Sequence, residues 1–312
     1  MRQEMKCPIC SSPDLDLDIA RVWRSWPQVR EVICCNNCGL YFLLNAPTEQ
    51  EVRNHYEQYS SPLPLPQRTL KKAFRKYRCV SQYQYIKLRQ AGKPERVLEV
   101  GTGDGILLDI YRRQGCAVLG VEYDSQARAH ALNAYGLSMT DRSFTAVNGS
   151  YDLVIMSHVL EHFINPRVTL RHAGEILNRD GRLFVEVPCS PLAPGECSAE
   201  ELEEYLQTDH VYNFRPASLR MLFEQEGYEI ICLERVCYNI PFAPGKRLRR
   251  RIGEVLLQGS RPGLVTAAFI GGYMAANLLK LQQPFRILSS PDATWQGQGD
   301  SIRLIARKKQ RF

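Results

Sequence analysis

The segment Val97-Leu98-Glu99-Val100-Gly101-Thr102-Gly103-Asp104-Gly105 ends a short apolar run in three alternating glycines. A helical stretch, Ile106 to Gln114, follows directly, so the segment reads as strand, tight turn and helix. Glycines at such a turn let the backbone reverse sharply and approach a ligand closely. The spacing is G-x-G-x-G rather than the dinucleotide G-x-G-x-x-G, because Ile106 follows the third glycine. Glu99, just ahead of the glycines, would repel a pyrophosphate and attract a cationic ligand. A second apolar run, Ala117 to Glu122, ends in an acid seventeen residues after Gly105. A carboxylate at the end of the second strand can accept both ribose hydroxyls. Together the two runs describe a site for a nucleoside that carries a positive charge.

The rest of the chain continues the rhythm. Helix Ser125–Tyr135, strand Tyr151–Met156, helices through Leu160 and Leu177, strand Gly181–Val187, helix Pro216–Glu226, and strands Tyr228–Val236 and Ser301–Ala306 complete a strand–helix alternation. Such alternation signals an α/β fold with a mostly parallel sheet. Ahead of it, Thr48 and Glu51 have capping-box spacing. Three prolines between Ser60 and Pro66 break the chain, and a helix is expected from Thr69 to Ala91.

These residues resemble the class I S-adenosylmethionine (SAM) dependent methyltransferases. Glu99 to Gly105 looks like their first motif, Glu122 like their ribose-binding acid, Tyr151 to His162 like their fourth-strand motif, and Leu177 to Leu183 like the turn before their fifth strand. The resemblance covers about residues 90–240 and 299–312. It implies a Rossmann-like, mostly parallel seven-stranded sheet with an antiparallel last strand. It implies SAM as cofactor, held by Glu99, Gly101, Thr102, Gly103, Gly105, Glu122 and Ser157. The adenine-binding motif is poorly matched, and Asp141 is its candidate.

Cys7-Pro8-Ile9-Cys10 and Cys35-Asn36-Asn37-Cys38-Gly39 give C-x2-C-x24-C-x2-C. Four thiolates at this spacing form a closed tetrahedral zinc site. Cys34 is an alternative to Cys35 but breaks the x2 spacing. The module resembles the zinc ribbons that precede some methyltransferases. With no open coordination position, its zinc is structural. The chain holds 11 cysteines, and Met1 to Lys6 lacks an apolar signal core, so the expectation is a cytoplasmic protein with metal-bound and free thiols.

Histidines are the candidate catalytic groups. His158 and His162 follow the fourth strand at i and i+4, with Glu161 between them, and His210 follows the fifth. Imidazole has the pKa of a base near neutrality. No third metal ligand stands near the His158–His162 run, so that run is not read as a metal site.

Charge narrows the acceptor. Lys and Arg number 40 against 33 Asp and Glu, but residues 245–312 carry 13 basic and 3 acidic groups, which leaves the body slightly acidic. A nearly neutral body counts against nucleic acid, whose phosphates need Lys and Arg. The expectation is a methyltransferase for a small metabolite or a sugar/glycan, with O-methylation ahead of C-methylation. An RNA methyltransferase and a non-catalytic SAM-binding scaffold are the other readings. The organisation read from the sequence is a ribbon at 1–45, a helical linker or lid at 46–92, the catalytic domain at 93–239 and 299–312, and an insertion at 240–298. Within the insertion, the Lys246–Arg251 cluster precedes uncharged Pro262–Leu279, and 246–280 is read either as a docking region for a membrane surface or an anionic partner or as a packing, self-association or capping helix.

Overall fold

The computed structural model describes residues 5–22, 26, 28–58, 65–90, 92–189, 202, 206, 208–237, 286–287 and 301–309. The strands are β1 (Leu15–Val22), β2 (Arg30–Cys35), β3 (Tyr41–Leu43), β4 (Arg96–Val100), β5 (Ala117–Val121), β6 (Met139–Thr140), β7 (Tyr151–Ser157), β8 (Leu177–Pro188), β9 (Tyr212–Asn213), β10 (Tyr228–Cys237), β11 (Arg286–Ile287) and β12 (Ser301–Lys308). The helices are α1 (Glu49–Gln58), α2 (Leu65–Arg89), α3 (Ile106–Arg113), α4 (Ser125–Tyr135), α5 (Pro166–Ile176) and α6 (Pro216–Gln225).

The large sheet has the order β11-β10-β12-β8-β7-β4-β5-β6. The β8-β7-β4-β5-β6 run is parallel, and β12 lies antiparallel between β8 and β10. Apart from the two-residue edge strand β11, this is the expected seven-stranded sheet with its antiparallel last strand. Period-2 alternation sorts the apolar residues onto two faces. Val97, Leu153, Ile155, Phe184 and Ile305 pack with Tyr85 and Ile86 of α2 and with α3. Leu98, Val154, Met156, Val185 and Leu304 pack on the other face with α5 and α6. Helix α2 is tied down further, with the Tyr85 hydroxyl 2.8 Å from Cys232 Sγ and Arg89 bonded to Glu234.

A second sheet, β1-β2-β3-β9, joins the N-terminal segment to the catalytic body, because β9 follows β8 and α5 in the chain. Tyr41 pairs with Asn213 and Phe42 with Tyr212. Cys7, Ile9, Ile33, Cys35, Cys38 and Leu40 share one continuous apolar cluster with the second face of the large sheet. Arg167 of α5 donates to the carbonyls of Pro8 (3.2 Å) and Ile9 (2.6 Å).

The capping box at α1 is formed, with Thr48 N donating to Glu51 Oε2 and Glu51 N to Thr48 Oγ1. Helix α2 begins at Leu65 rather than Thr69, since a proline is tolerated in the first turn of a helix, and β8 begins at Leu177 rather than Gly181. The segment after β7 is a short 3-10 turn, Leu160–His162, rather than an α-helix. His158 ahead of it has φ 55°, which no continuous helix accommodates. Among the described residues no helix is long and apolar enough to cross a membrane. The Lys246–Arg251 cluster and Pro262–Leu279 lie outside the described residues.

Candidate active site and metal centre

The glycine loop lies at the carboxyl ends of β4 and β5, where open α/β sheets bind ligands. The Thr102 hydroxyl donates to the carbonyls of Glu99 (3.0 Å) and Val121 (3.3 Å), pinning the turn between the two strands. Gly101, Gly103 and Gly105 all have positive φ. At Gly103 (φ 58°) a Cβ would overlap the Arg75 guanidinium, which lies across the loop from α2. Arg75 Nε is 3.4 Å from Asp104 Oδ1.

Two acids flank the loop in contrasting surroundings. Glu122 accepts Gly103 N at 2.6 Å through Oε2 and Asp124 N at 2.9 Å through Oε1, so both oxygens are aimed by the backbone. Glu99 is buried, and its Oε2 has no hydrogen-bond partner. Burial raises its pKa to about 8, against the pull of Arg75. Asp141 is exposed and pairs with Arg128 at 3.3 Å, while Arg128 also donates to the carbonyls of Glu122 and Tyr123. The Ser157 hydroxyl, at the end of β7, accepts from Gln82 Nε2 of α2 at 2.7 Å.

Beyond Ser157 the backbone turns through His158. Its left-handed conformation costs about 1–2 kcal/mol, and its N–H is fixed on the Glu186 carbonyl at 2.7 Å. Its Nε2 is 3.1 Å from Glu186 Oε1. Glu186 in turn accepts from Arg303 Nε at 2.5 Å, and both partners are fully buried. Burial alone would raise the Glu186 pKa, but the Arg303 charge and the His158 contact outweigh it and hold the carboxyl far below its ordinary range. An ionised Glu186 fixes the proton of His158 on Nε2 and leaves Nδ1 with its lone pair. Burial lowers the His158 pKa to about 4, and the Arg78 charge adds to the effect. The ring nevertheless keeps 24% of its surface open, which leaves access for a substrate.

His162 and His210 approach each other edge to face, with ring centroids 4.9 Å apart. Burial lowers His162 to about 4 and lowers His210 as well. Glu161, between the histidines, is buried and is raised to about 8 by that burial. The three catalytic candidates therefore gather around one carboxyl group. Arg75, Gln82, Glu186 and Arg303 were missed in the sequence. A lone acid inside the apolar run Leu183–Val187 was the available signal for Glu186. The two residues from α2 carry no such mark.

The four cysteines also converge. Cys7 Sγ lies 3.6 Å from Cys38 Sγ, and Cys10 Sγ lies 3.4 Å from Cys35 Sγ. All four sulfurs lie within 4.8 Å of one another. Zn–S bonds of about 2.3 Å place tetrahedral sulfurs roughly 3.8 Å apart, so the cradle has the size of a zinc site. Cys35 rather than Cys34 closes it. Cys34 packs on the opposite face, and burial raises its thiol to about 11. Gly39 (φ 68°) completes the second knuckle, where a Cβ would strike the Arg215 side chain.

The methyltransferase domain family model matches residues 71–233. The chain belongs to this family. It is a SAM-dependent methyltransferase. Over 184 residues the methyltransferase is 28% identical to the ubiquinone biosynthesis O-methyltransferase of Nitrosococcus oceani, covering 54% of this chain and 78% of that protein. The corresponding protein of Xanthomonas axonopodis pv. citri is 26% identical over 183 residues, covering 54% of this chain and 76% of that one. Among solved structures, the [4+2]-cyclase SpnF superposes with a TM-score of 0.51 at 15% identity, over 84% of this chain and 97% of that one. This last likeness concerns the fold alone.

Proposed function

We propose that this methyltransferase moves the SAM methyl group to a hydroxyl of a small acceptor, a metabolite or a sugar, with His158 as the base. The observation that carries the reading is the Arg303–Glu186–His158 relay, which ends in an imidazole at the C-terminal edge of β7. The neighbouring Val159 packs against Gly101 of the cofactor loop. A base is what hydroxyl methylation adds to the positioning of donor and acceptor. The relatives' names support oxygen as the methylated atom.

In this reading Glu99 faces the cationic end of SAM, and Gly101, Thr102, Gly103 and Gly105 shape the turn against it. Glu122 takes the ribose hydroxyls, Asp141 lies at the adenine end, and Ser157 borders the cofactor. His158 Nδ1 would take the proton of the acceptor hydroxyl, and SAM, when bound, would supply the methyl group to that oxygen with its thioether as the leaving group. His162 and His210 border the acceptor. Cys7, Cys10, Cys35 and Cys38 hold a structural zinc in a ribbon over residues 1–45. Residues 46–92 cover the site, residues 93–239 and 299–312 form the catalytic domain, and the 240–298 insertion docks to a membrane surface or an anionic partner.

Two variants test the assignments. Glu122→Ala should lose about 2 kcal/mol or more of SAM affinity, as for a charged hydrogen-bonding partner, read by calorimetry on folded protein. His158→Ala should keep SAM affinity and lose at least about a hundredfold in transfer rate. The rate is measured with isotopically labelled SAM against a panel of phenols, sugars and RNA. Label going to RNA alone, or full transfer by His158→Ala, would sink the reading.

A further inference from the structure

Glu161 is 1% exposed, and neither of its carboxylate oxygens has a hydrogen-bond partner. A buried acid in that state is costly unless something completes it. Imidazoles surround it. His162 Nε2 is 3.9 Å and His158 Nδ1 3.8 Å from Glu161 Oε1. The other nitrogen of His162, Nδ1, lies 3.3 Å from the Asp209 carbonyl, and His210 Nδ1 lies 3.2 Å from Asn213 Oδ1. Metal-ligating histidines show this arrangement: one nitrogen is held by an acceptor so that the opposite nitrogen is aimed at an ion. One ligand atom each from Glu161, His162 and His210 falls within a 4.8 Å cluster. Bonds of about 2.0–2.2 Å would draw such atoms to roughly 3.5 Å apart, which needs side-chain rotations of about an ångström.

We propose that Glu161, His162 and His210 form a second metal site, separate from the four cysteines, for one divalent transition ion of the zinc, iron(II) or cobalt(II) kind. The sequence hides the third ligand. Glu161 and His162 share the turn after β7, whereas His210 arrives ahead of β9. A main-chain bond from Val211 N to the Glu161 carbonyl, 2.9 Å, holds the two segments together. Two imidazoles and one carboxylate leave coordination positions open, unlike a closed four-thiolate site. The site itself is independent of the methyl-acceptor reading. Its role rests on that reading: the ion binds the acceptor hydroxyl oxygen and makes its proton more acidic. The O–H bond breaks with the proton passing to His158 Nδ1, the oxygen pair forms the bond to the methyl carbon, and the C–S pair returns to sulfur to leave a thioether.

Cobalt(II) titration of the purified full chain brought to a single zinc equivalent, enough for the four cysteines alone, tests the site without any activity measurement. The expected result is one further equivalent bound, with d–d absorption and no sulfur-to-metal charge-transfer band. Glu161→Gln and His210→Ala should each weaken that binding at least tenfold while SAM affinity, the control for folding, is kept. Should Glu161→Gln fail that control, His210→Ala, on a half-buried loop, decides. No additional equivalent, a charge-transfer band betraying thiolate ligation, or undiminished binding in a folded variant would each overturn the proposal. Transfer assays on the same samples report on the acceptor reading separately.

Discussion

Glu99 is a carboxyl group with almost no access to water, placed where a positively charged ligand is expected. In the cofactor-free protein burial holds its pKa near 8, so at neutral pH it is mostly protonated. An ammonium group brought against it favours the ionised form and lowers that pKa. Binding therefore expels a proton wherever the pH lies below the free-protein value. By linkage, SAM affinity should rise as the pH climbs toward about 8 and level off above it. Calorimetry near neutral pH, in buffers of different ionisation enthalpy, should report net proton release on SAM binding. Glu99→Gln should abolish the release attributable to this group. Buffer-independent heats in the unaltered protein would remove Glu99 from the cationic end of SAM. Glu122, by contrast, is held by two backbone N–H groups and so is already organised as an acceptor. In the proposed reading these two acids, 23 residues apart in one loop system, divide the tasks of charge and hydroxyl recognition.

Elements defined by local patterns were legible in the sequence, and contacts between distant elements were not. The glycine turn, the capping box at Thr48 and the helix Ser125–Tyr135 each depend on neighbours in the chain, and each stands where the residues place it. The i, i+4 relation of His158 and His162 assumed a helix, and the left-handed backbone at His158 replaced it with a 3-10 turn. The histidines still meet, through tertiary packing around Glu161 rather than helical spacing. The two-residue strand β9 is too short to show periodicity, so its pairing with β3 left no trace in the sequence. Adjacent strands β8 and β12 likewise bring together Glu186 and Arg303, 117 residues apart. Removing one member of a fully buried ion pair leaves an uncompensated charge. Arg303→Met should therefore cost about 3–5 kcal/mol in urea unfolding. Adding Glu186→Leu should recover much of that stability, because an apolar pair can replace a buried ionic one. It should not recover methyl transfer, since His158 then lacks the carboxylate that sets its tautomer. Recovery of both would confine the pair to a structural role.

On the scale of the whole molecule, the cysteine cradle and the catalytic cleft are joined by a short mechanical path. Strand β3 follows the Cys35–Cys38 knuckle directly and pairs with β9, with a further main-chain bond from Leu43 N to the Val211 carbonyl at 3.1 Å. His210 stands two residues ahead of the first residue of β9, and Val211 N, between them, also donates to the Glu161 carbonyl. A metal ion that fixes the knuckles therefore fixes β3, then β9, and through it the relation of His210 to Glu161. The glycine loop lies outside this path, because β5, α2 and the Glu122 carboxylate hold it. Cys38→Ser should lower the zinc content by about one equivalent per chain. It should keep SAM affinity but slow methyl transfer by at least about tenfold, since displacements near 1 Å at a reacting centre cost on that order or more. Elemental analysis, calorimetric titration with SAM and the labelled-methyl assay on one preparation separate the outcomes. Zinc loss with undiminished transfer would break the proposed path between cradle and cleft. Zinc loss accompanied by lost SAM binding would show that the ribbon, which shares its apolar cluster with the large sheet, supports the entire fold instead of the acceptor side alone.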